Sequence, residues 1–250
     1  MSRILLTAAS RIGCVRSNNE DMVLAFDKYV RSDVHQADFV TDNYERFVIA
    51  LADGMGGHNA GEVASEETLR NLRFYINDLP RNLASGEFNE SMINWLNSIN
   101  TTINQRGHAH PELRDMGTTL VAIIYYNHRF YWLNCGDSRL YRLRDGKLVQ
   151  ITTDHSLVNT SGIKRHSNVI TNCIGAGCKN SYIDLIEFTN DFLPGDIYLL
   201  CSDGLNDMIS DDMIGELLSG HCTANALCEA AIEAGGFDNV STCVLTVSEH

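Results

Sequence analysis

The sequence predicts an α+β layered sandwich, and two observations carry this prediction. Ten short runs rich in Val, Ile, Leu and Tyr are bounded by turn residues, which is typical of β-strands. Two long segments with apolar residues every three or four positions stand together between these runs, so helices and strands do not alternate. Antiparallel hairpins with helices in separate blocks favour this class over a doubly wound α/β fold.

The predicted strands extend from the N-terminus to the C-terminus. Asp145 and Gly146 predict a type I′ hairpin between two of them, because this turn needs positive φ at both central residues. Asn127 and His128 predict a similar turn. The ten predicted strands are residues 3–9, 22–26, 46–52, 118–126, 130–134, 139–143, 148–152, 183–188, 197–201 and 240–247.

The helical segments show one apolar face each, which is typical of helices that pack on a core. Residues 61–78 and 88–105 are the two long segments, and residues 211–218 and 223–234 predict two shorter helices. The chain has only three prolines and no Gly-, Ser- or Pro-rich linker. We therefore expect a single domain over residues 1–250.

Composition excludes several classes of function. The net charge of −13 argues against sequence-independent nucleic-acid binding, which needs a basic face. No apolar run is long enough for a signal peptide or a membrane span, so no membrane partner is expected. The eight cysteines include no CxxC pair, which favours reduced thiols and a cytoplasmic location. We expect a monomer.

Acidic residues stand at the ends of several predicted strands. The apolar run FVIALA ends on Asp53, with Gly54 directly after it, and the run IYLLCS ends on Asp203. Each acid taken alone is typical of a turn or of a solvated carboxylate. Acids at several strand ends, however, can converge at one edge of a sandwich. The acids at strand starts are Glu20, Asp21 and Asp238.

Converging carboxylates raise one another's pKa values unless cations lie between them. Hard divalent ions such as Mn²⁺ and Mg²⁺ prefer shells of carboxylate, carbonyl and water oxygens. Gly54 would present a backbone carbonyl beside the Asp53 carboxylate. The pattern therefore predicts a divalent-metal site at this edge.

Seven segments of the chain occur together in one characteristic order: VRSNNED, LADGMGGHNAGEVAS, MGTTL, NCGDSRLYRL, TTDHSL, LLCSDGL and FDNVSTCVL. In these segments the chain resembles the metal-dependent protein phosphatase family, type 2C, in its bacterial form. The resemblance implies a four-layer αββα sandwich of two antiparallel sheets flanked by helices, with a dinuclear Mn²⁺ or Mg²⁺ centre at one edge. It also implies hydrolysis of phosphoserine and phosphothreonine in proteins by a metal-bridged hydroxide, without a covalent phosphoenzyme.

The resemblance also implies a role for each metal-site residue. Asp53 would bridge both ions, while Asp203 and Asp238 would complete the first site. Glu20, through water, and the Gly54 carbonyl would serve the second site.

Three further residues receive roles from the same resemblance. Asp21 supports the metal shell, and Arg16 grips the substrate phosphate. Asp115, just before MGTT, resembles a ligand of a weaker third metal. Asp137 and Arg139 are expected to form a salt bridge that braces a turn.

Two departures from the family pattern bear on mechanism and specificity. Met55 stands where many eukaryotic members have a histidine, so water is the expected proton donor to the leaving group. Residues 159–167 form a shorter flap than bacterial relatives usually carry. The expected partners are phosphoproteins, the targets of a cognate Ser/Thr kinase. Two alternatives stay open: a non-catalytic phosphoprotein-binding module and a phosphatase of small phosphate esters.

Overall fold

A computed structural model of the chain describes residues 2–56, 60–157 and 169–249. The strands are β1 (Ser2–Arg11), β2 (Met22–Ala25), β3 (Lys28–Val30), β4 (Val34–Val40), β5 (Arg46–Ala52), β6 (Gly54–Met55), β7 (Gly117–Thr118), β8 (Leu120–Tyr126), β9 (Arg129–Cys135), β10 (Arg139–Arg144), β11 (Lys147–Gln150), β12 (Ile174–Gly175), β13 (Asp184–Glu187), β14 (Ile197–Cys201) and β15 (Val240–Glu249). The helices are α1 (Ala60–Asp78), α2 (Ser85–Ala109), α3 (Asp203–Asn206), α4 (Asp211–Ser219) and α5 (Ala224–Glu233).

The strands form two six-stranded antiparallel sheets. The first sheet has the order β11-β10-β14-β15-β1-β4, and the second has the order β13-β9-β8-β5-β2-β3. A small third sheet, β12-β7-β6, contains strands of two residues each. Its pairs Gly54↔Thr118 and Gly117↔Gly175 join the turn after β5 to two distant segments of the chain.

The three hydrophobic cores show that the molecule has four layers. Along β5 the side chains alternate: Val48 packs with α1 and α2, whereas Ile49 packs between the two large sheets. Such a strand is buried on both faces, which explains its unbroken apolar sequence. A third core joins Leu199 of β14 to Ile214 of α4 and Leu227 of α5. The predicted αββα sandwich is therefore confirmed.

Both predicted hairpin turns are present. Asp145 and Gly146 have φ values of 51° and 73°, and Asn127 and His128 have values of 50° and 60°. The positive φ values are those that a type I′ turn requires.

Two strands of the large sheets were not predicted, namely β3 and β4. The sequence of β4, VHQADFV, alternates poorly because the strand lies at the edge of the first sheet, next to β1. An edge strand exposes one side of its backbone to solvent, and polar residues are acceptable there. Helix α2 is also longer at both ends than the predicted segment 88–105.

No helix within the described residues is long and apolar enough to cross a bilayer. The predicted flap, residues 159–167, lies outside the described residues, as do Gly57 and His58.

Candidate metal centre

The strand-end acids meet because of the register of the two large sheets. In the second sheet Met22 pairs with Ala52, so Asp21 and Asp53, which flank this pair, lie at the same sheet edge. In the first sheet Cys201 pairs with Thr242. The chain therefore brings Asp203, which follows β14, to the same edge as Asp238, which precedes β15.

A hydrogen bond connects the two sheets at this edge. The hydroxyl of Ser202 donates to Oδ2 of Asp21 at 2.7 Å, and the same hydroxyl accepts from the backbone N–H of Ser241 at 3.0 Å. Ser241 in turn donates to the hydroxyl of Ser10 at 2.8 Å. All four residues are buried. This network places Asp21 of one sheet against the ends of three strands of the other.

The carboxylates of this edge raise one another's pKa values. Burial raises the pKa of Asp203 to about 8, and the charges of Asp137 and Asp238 act in the same direction. Burial also raises the pKa of Asp53 well above its usual value, and the charges of Asp21 and Asp203 add to that effect. The negative charges of these carboxylates therefore add to the effect of burial in opposing ionisation.

Several of these carboxylates also have a buried oxygen without a hydrogen-bond partner among the described residues. Burial raises the pKa of Asp21 to about 6 and also raises the pKa of Glu20. A buried acceptor without a partner costs free energy, and a cation can remove this cost. The unpartnered oxygens are Glu20 Oε1, Asp21 Oδ1, Asp137 Oδ1 and Asp203 Oδ1.

Asp137 belongs to this acidic edge, and the sequence-based interpretation of it was wrong. The predicted ion pair with Arg139 is absent from the described residues, because Arg139 binds the carboxylate of Asp154 at 2.7 Å. Burial raises the pKa of Asp137 to about 6. Its negative charge contributes to the raised pKa values of both Asp53 and Asp203. The segment NCGDSR, which is one of the seven segments of the family resemblance, was the feature of the sequence that could have indicated a role for Asp137 at the site.

His155 holds the turn that presents Asp137. Its Nδ1 accepts from the backbone N–H of Gly136 at 3.2 Å and lies 2.7 Å from Nδ2 of Asn172. Since Nδ1 is the acceptor, Nε2 carries the proton and donates to Asp184 at 3.1 Å. The TTDHSL segment therefore braces the turn from within the core.

The backbone of Asp53 is held by the two threonines of MGTTL. Its carbonyl accepts from the N–H of Thr119 at 2.9 Å and from the hydroxyl of Thr118 at 2.8 Å. Its N–H donates to the hydroxyl of Thr119 at 3.1 Å. The Thr119 hydroxyl also lies 2.7 Å from that of Ser138, next to Asp137. This contact links the two acidic turns.

Gly54 is required by packing. A Cβ at this position would lie 2.2 Å from the carbonyl oxygen of Gly61 and 2.6 Å from that of Glu20. No side chain fits at such distances. The start of α1 therefore lies directly against the turn after β5, and a Cβ on Gly61 would lie 2.8 Å from the carboxylate carbon of Glu20.

Arg31 holds the main chain of Glu20 through α1. Its guanidinium contacts the Glu62 carboxylate at 2.8 Å and donates to the hydroxyl of Ser65 at 3.0 Å. The same hydroxyl donates to the carbonyl of Glu20 at 2.6 Å. Sequence reasoning missed Arg31, because nothing near it in the chain marks it as part of the site.

Arg16 lies at the exposed side of the acidic edge. It donates from Nη2 to Oδ2 of Asp238 at 2.5 Å, and about half of its side chain is exposed. Asn239 braces the same loop: its amide nitrogen donates to the carbonyls of Ile12 and Asn18, both at 2.9 Å. Its amide oxygen accepts from the N–H of Glu20 at 2.9 Å.

Asp115 precedes a strand of the small third sheet and not one of the two large sheets. It is exposed, has a φ of 60° and stands in the loop before β7. Its carbonyl oxygen would lie 3.4 Å from a Cβ placed on Gly56, so its backbone approaches the turn after β6. Asp115 is not among the main charges that raise the pKa values of Asp53 and Asp203.

The oxygen atoms at this edge fit hard divalent cations in their chemistry. Within residues 2–56, 60–157 and 169–249, no three Asp, Glu, His or Cys side chains already surround one point as ligands. Asp238 instead contacts Arg16. The raised pKa values and the unpartnered oxygens show that these buried acids ionise unfavourably without a cation, and an oxygen-only donor set is the one that Mn²⁺ and Mg²⁺ prefer.

Known proteins are similar to this chain in sequence and in fold. The serine/threonine protein phosphatase PstP of Mycobacterium tuberculosis is 34% identical over 264 residues, which cover 100% of this chain and 47% of that protein. This chain therefore spans about half the length of that relative. The serine/threonine phosphatase stp of Listeria monocytogenes is 32% identical over 213 residues, which cover 79% of this chain and 83% of that protein.

A solved structure is also similar to this chain in sequence and fold. It is the catalytic domain of serine threonine protein phosphatase PstP in complex with 2 manganese ions, with 34% identity and a TM-score of 0.77 over 100% of both chains. The family profile described as "Protein phosphatase 2C" matches residues 27–231 of this chain. On the match of this profile and of these relatives, the chain belongs to the protein phosphatase 2C family.

Proposed function

We propose that this chain is a metal-dependent phosphatase that removes phosphate from phosphoserine and phosphothreonine residues of proteins. The observation that carries the proposal is the convergence of buried carboxylates with raised pKa values beside an exposed arginine. The relatives with this sequence pattern are named serine/threonine phosphatases. We further propose that it acts as one catalytic domain.

Asp53 is proposed as the carboxylate that would serve both ions, because the charges of acids from both sheets raise its pKa. Asp203 and Asp238 would hold the first ion, and Glu20, through water, with the Gly54 carbonyl would hold the second. Bound Mn²⁺ or Mg²⁺ supplies activated water for direct attack on phosphorus. The manganese complex of the PstP catalytic domain supports this choice of metal.

The supporting acids differ in how well their positions suit their roles. Asp21 is buried and held by Ser202, which suits a residue that orients the metal shell. The third-metal role of Asp115 stays a prediction. Asp137 is the better placed source of additional negative charge, because its carboxylate acts on both Asp53 and Asp203.

Arg16 is proposed to bind the substrate phosphate. Its guanidinium is exposed, and its planar fork can donate to two phosphate oxygens. Contact with the Asp238 carboxylate fixes its direction before substrate binds. The phosphoryl group would thus be gripped beside the acids that hold the ions.

A covalent phosphoenzyme on cysteine is not supported. Burial raises the pKa of Cys135 to about 12 and also raises that of Cys201, so neither is a thiolate near neutral pH. Met55 is half-buried on β6 and has no proton to donate. Water is therefore the proposed proton donor to the leaving seryl or threonyl oxygen.

The natural substrates are proposed to be phosphoproteins made by a cognate Ser/Thr kinase in the cytoplasm, and the protein is proposed to act as a monomer. The names of the relatives support phosphoprotein substrates.

Hydrolysis of phosphoserine and phosphothreonine peptides with Mn²⁺, Mg²⁺ or EDTA tests the function. Phosphate release is expected with either metal and not with EDTA. Phosphopeptide binding without turnover would support a binding module instead. Faster turnover of metabolite phosphates than of every phosphopeptide would support a phosphatase of small esters.

A further inference from the structure

Two chain segments run side by side along the exposed margin of the acidic edge. The backbone N–H of Cys14 donates to the carbonyl of Gly236 at 2.7 Å. Two residues further on, Arg16 contacts Asp238 at 2.5 Å. Residues 14–16 and 236–238 are therefore joined at both ends, and the middle residue of each segment lies between the two contacts.

These middle residues, Val15 and Phe237, are apolar and exposed. Val15 is 64% exposed and Phe237 is 63% exposed. Their neighbours in the chain are the proposed phosphate-binding residue and a proposed metal ligand. We call Val15 and Phe237 the apolar rim.

The backbone of the second segment is adapted to this arrangement. Gly235 has a φ of +138°, and a Cβ there would lie 3.3 Å from the ring of Phe237, so the ring is folded back against this glycine. Gly236 has a φ of +55°, and a Cβ there would lie 3.1 Å from the sulfur of Cys14. The ring of Phe237 therefore packs against Gly235, and the backbone at Gly236 lies against Cys14 of the first segment.

We propose that the apolar rim binds an apolar side chain of the substrate, one or two residues from the phosphorylated serine or threonine. This inference rests on the proposed function. Consecutive Cα atoms are about 3.8 Å apart, so a peptide whose phosphate lies at Arg16 places its neighbouring side chains within reach of Val15 and Phe237. The rim thus selects phosphopeptides by the residue that flanks the phosphate.

The charge of the surroundings favours a peptide over an anionic bilayer as the occupant. The chain carries a net charge of −13, and the rim adjoins an edge rich in carboxylates, which repels anionic lipid. A phosphopeptide is attracted at one point by Arg16 and covers the two exposed apolar side chains beside it.

The first experiment compares phosphopeptides that differ at one flanking position. Peptides with Leu at positions −2, −1, +1 or +2 are each compared with the Ser version, with Mn²⁺ present. At one or more positions Leu is expected to raise kcat/KM by about tenfold, the scale on which a hydrophobic contact discriminates. Equal rates at all four positions would overturn the inference.

The second experiment assigns the preference to the rim. Val15→Ser and Phe237→Ser are each expected to reduce the ratio of kcat/KM for the Leu and Ser peptides toward one, whereas Phe237→Leu should retain part of it. Phe74→Ser on α1 and Val34→Ser on β4 are matched controls, since these side chains are 70% and 49% exposed. A preference unchanged by both rim variants would refute the assignment.

Two readouts separate the rim from the metal centre. Hydrolysis of p-nitrophenyl phosphate has no peptide contact, and Mn²⁺ titration by calorimetry reports whether Phe237→Ser disturbs the adjacent Asp238. Val15 is not next to a proposed metal ligand, so its variant gives an independent result. Absence of hydrolysis of every substrate would overturn the proposed function together with this inference, whereas hydrolysis without a flanking preference would overturn the inference alone.

Discussion

The guanidinium of Arg16 lies 2.5 Å from the carboxylate of Asp238, and this contact joins the proposed phosphate-binding residue to a proposed metal ligand. The charge of Asp238 also acts on Asp53 and Asp203. An ion held by Asp238 would therefore share this carboxylate with Arg16, and a bound substrate phosphate would compete with Asp238 for the guanidinium. Occupation of the phosphate site and of the metal site should depend on each other.

Replacing Arg16 separates these two effects. Arg16→Gln removes the cation, so kcat/KM for p-nitrophenyl phosphate is expected to fall by about 10- to 100-fold, the value of charge-assisted hydrogen bonds to one phosphate. Mn²⁺ affinity, measured by calorimetry, is expected to be equal or tighter because Asp238 is released. Weaker Mn²⁺ binding in this variant would show that Arg16 supports the metal site instead.

Asp203→Asn should remove most activity, because the variant loses a negative charge in a proposed ligand. Loss of a partner that merely supports a ligand costs about 10- to 100-fold, so a decrease of at least about 100-fold in kcat is expected. Asp207→Asn, directly after the same short helix, is the control for a change of charge nearby. Retention of wild-type kcat in Asp203→Asn would exclude the proposed ligand role.

The raised pKa values predict how stability depends on pH in the absence of metal. Burial raises the pKa of Asp203 from its ordinary value of 3.8 to about 8 in the folded chain, so the folded chain binds more protons than the unfolded chain between these pH values. The free energy of unfolding therefore falls as the pH rises through this window. In EDTA, the melting temperature should decrease from pH 5 to pH 8.

The same variant checks the origin of this effect. Asp203→Asn removes the charge, and at pH 8 it should raise the melting temperature of the metal-free protein by about 3 °C or more. At pH 5 the difference from the wild type should shrink. With Mn²⁺ the order should reverse, because only the wild type gains the full stabilisation by the ions. An increase independent of pH would point to packing instead of charge.

The hydrogen bond from Arg31 to Ser65 predicts an effect on the second metal site. Arg31→Met removes the donor to Ser65, which holds the Glu20 carbonyl, so Mn²⁺ affinity should fall by about tenfold. Arg31→Lys should recover part of this affinity. Arg70→Met breaks an exposed ion pair on α1 and is the control. Calorimetry measures the affinity, and a normal value in Arg31→Met would contradict the prediction.

Local patterns were sufficient for much of the fold and for the strand-end acids. The strand β5 is apolar without interruption because it is buried on both faces. Its abrupt end before Asp53 can be recognised in the sequence alone. The hairpin at Asp145 was predictable because its turn type constrains the residues that form it. Strand β4 was not, because an edge strand needs no apolar period.

The residues that were missed act through contacts between distant segments. Asp137 resembles an ordinary turn acid with a neighbouring arginine, and only the packed structure shows that Arg139 binds Asp154 instead. Thr119 and Arg31 reach the site from 66 and 34 positions away in hydrogen bonds to Asp53 and Ser65. The hydrophobic periodicity of a single helix or strand carries no information about contacts between distant segments.

The sequence by itself therefore determined the layered class, the family resemblance and the acids at strand ends, since each depends on short motifs or on the period of one element. The tertiary structure decided which acids meet. The register Met22↔Ala52 and Cys201↔Thr242 places Asp21, Asp53 and Asp203 at one edge. Their shared burial then raises their pKa values, and the strength of this repulsion depends on distances that only the folded chain sets.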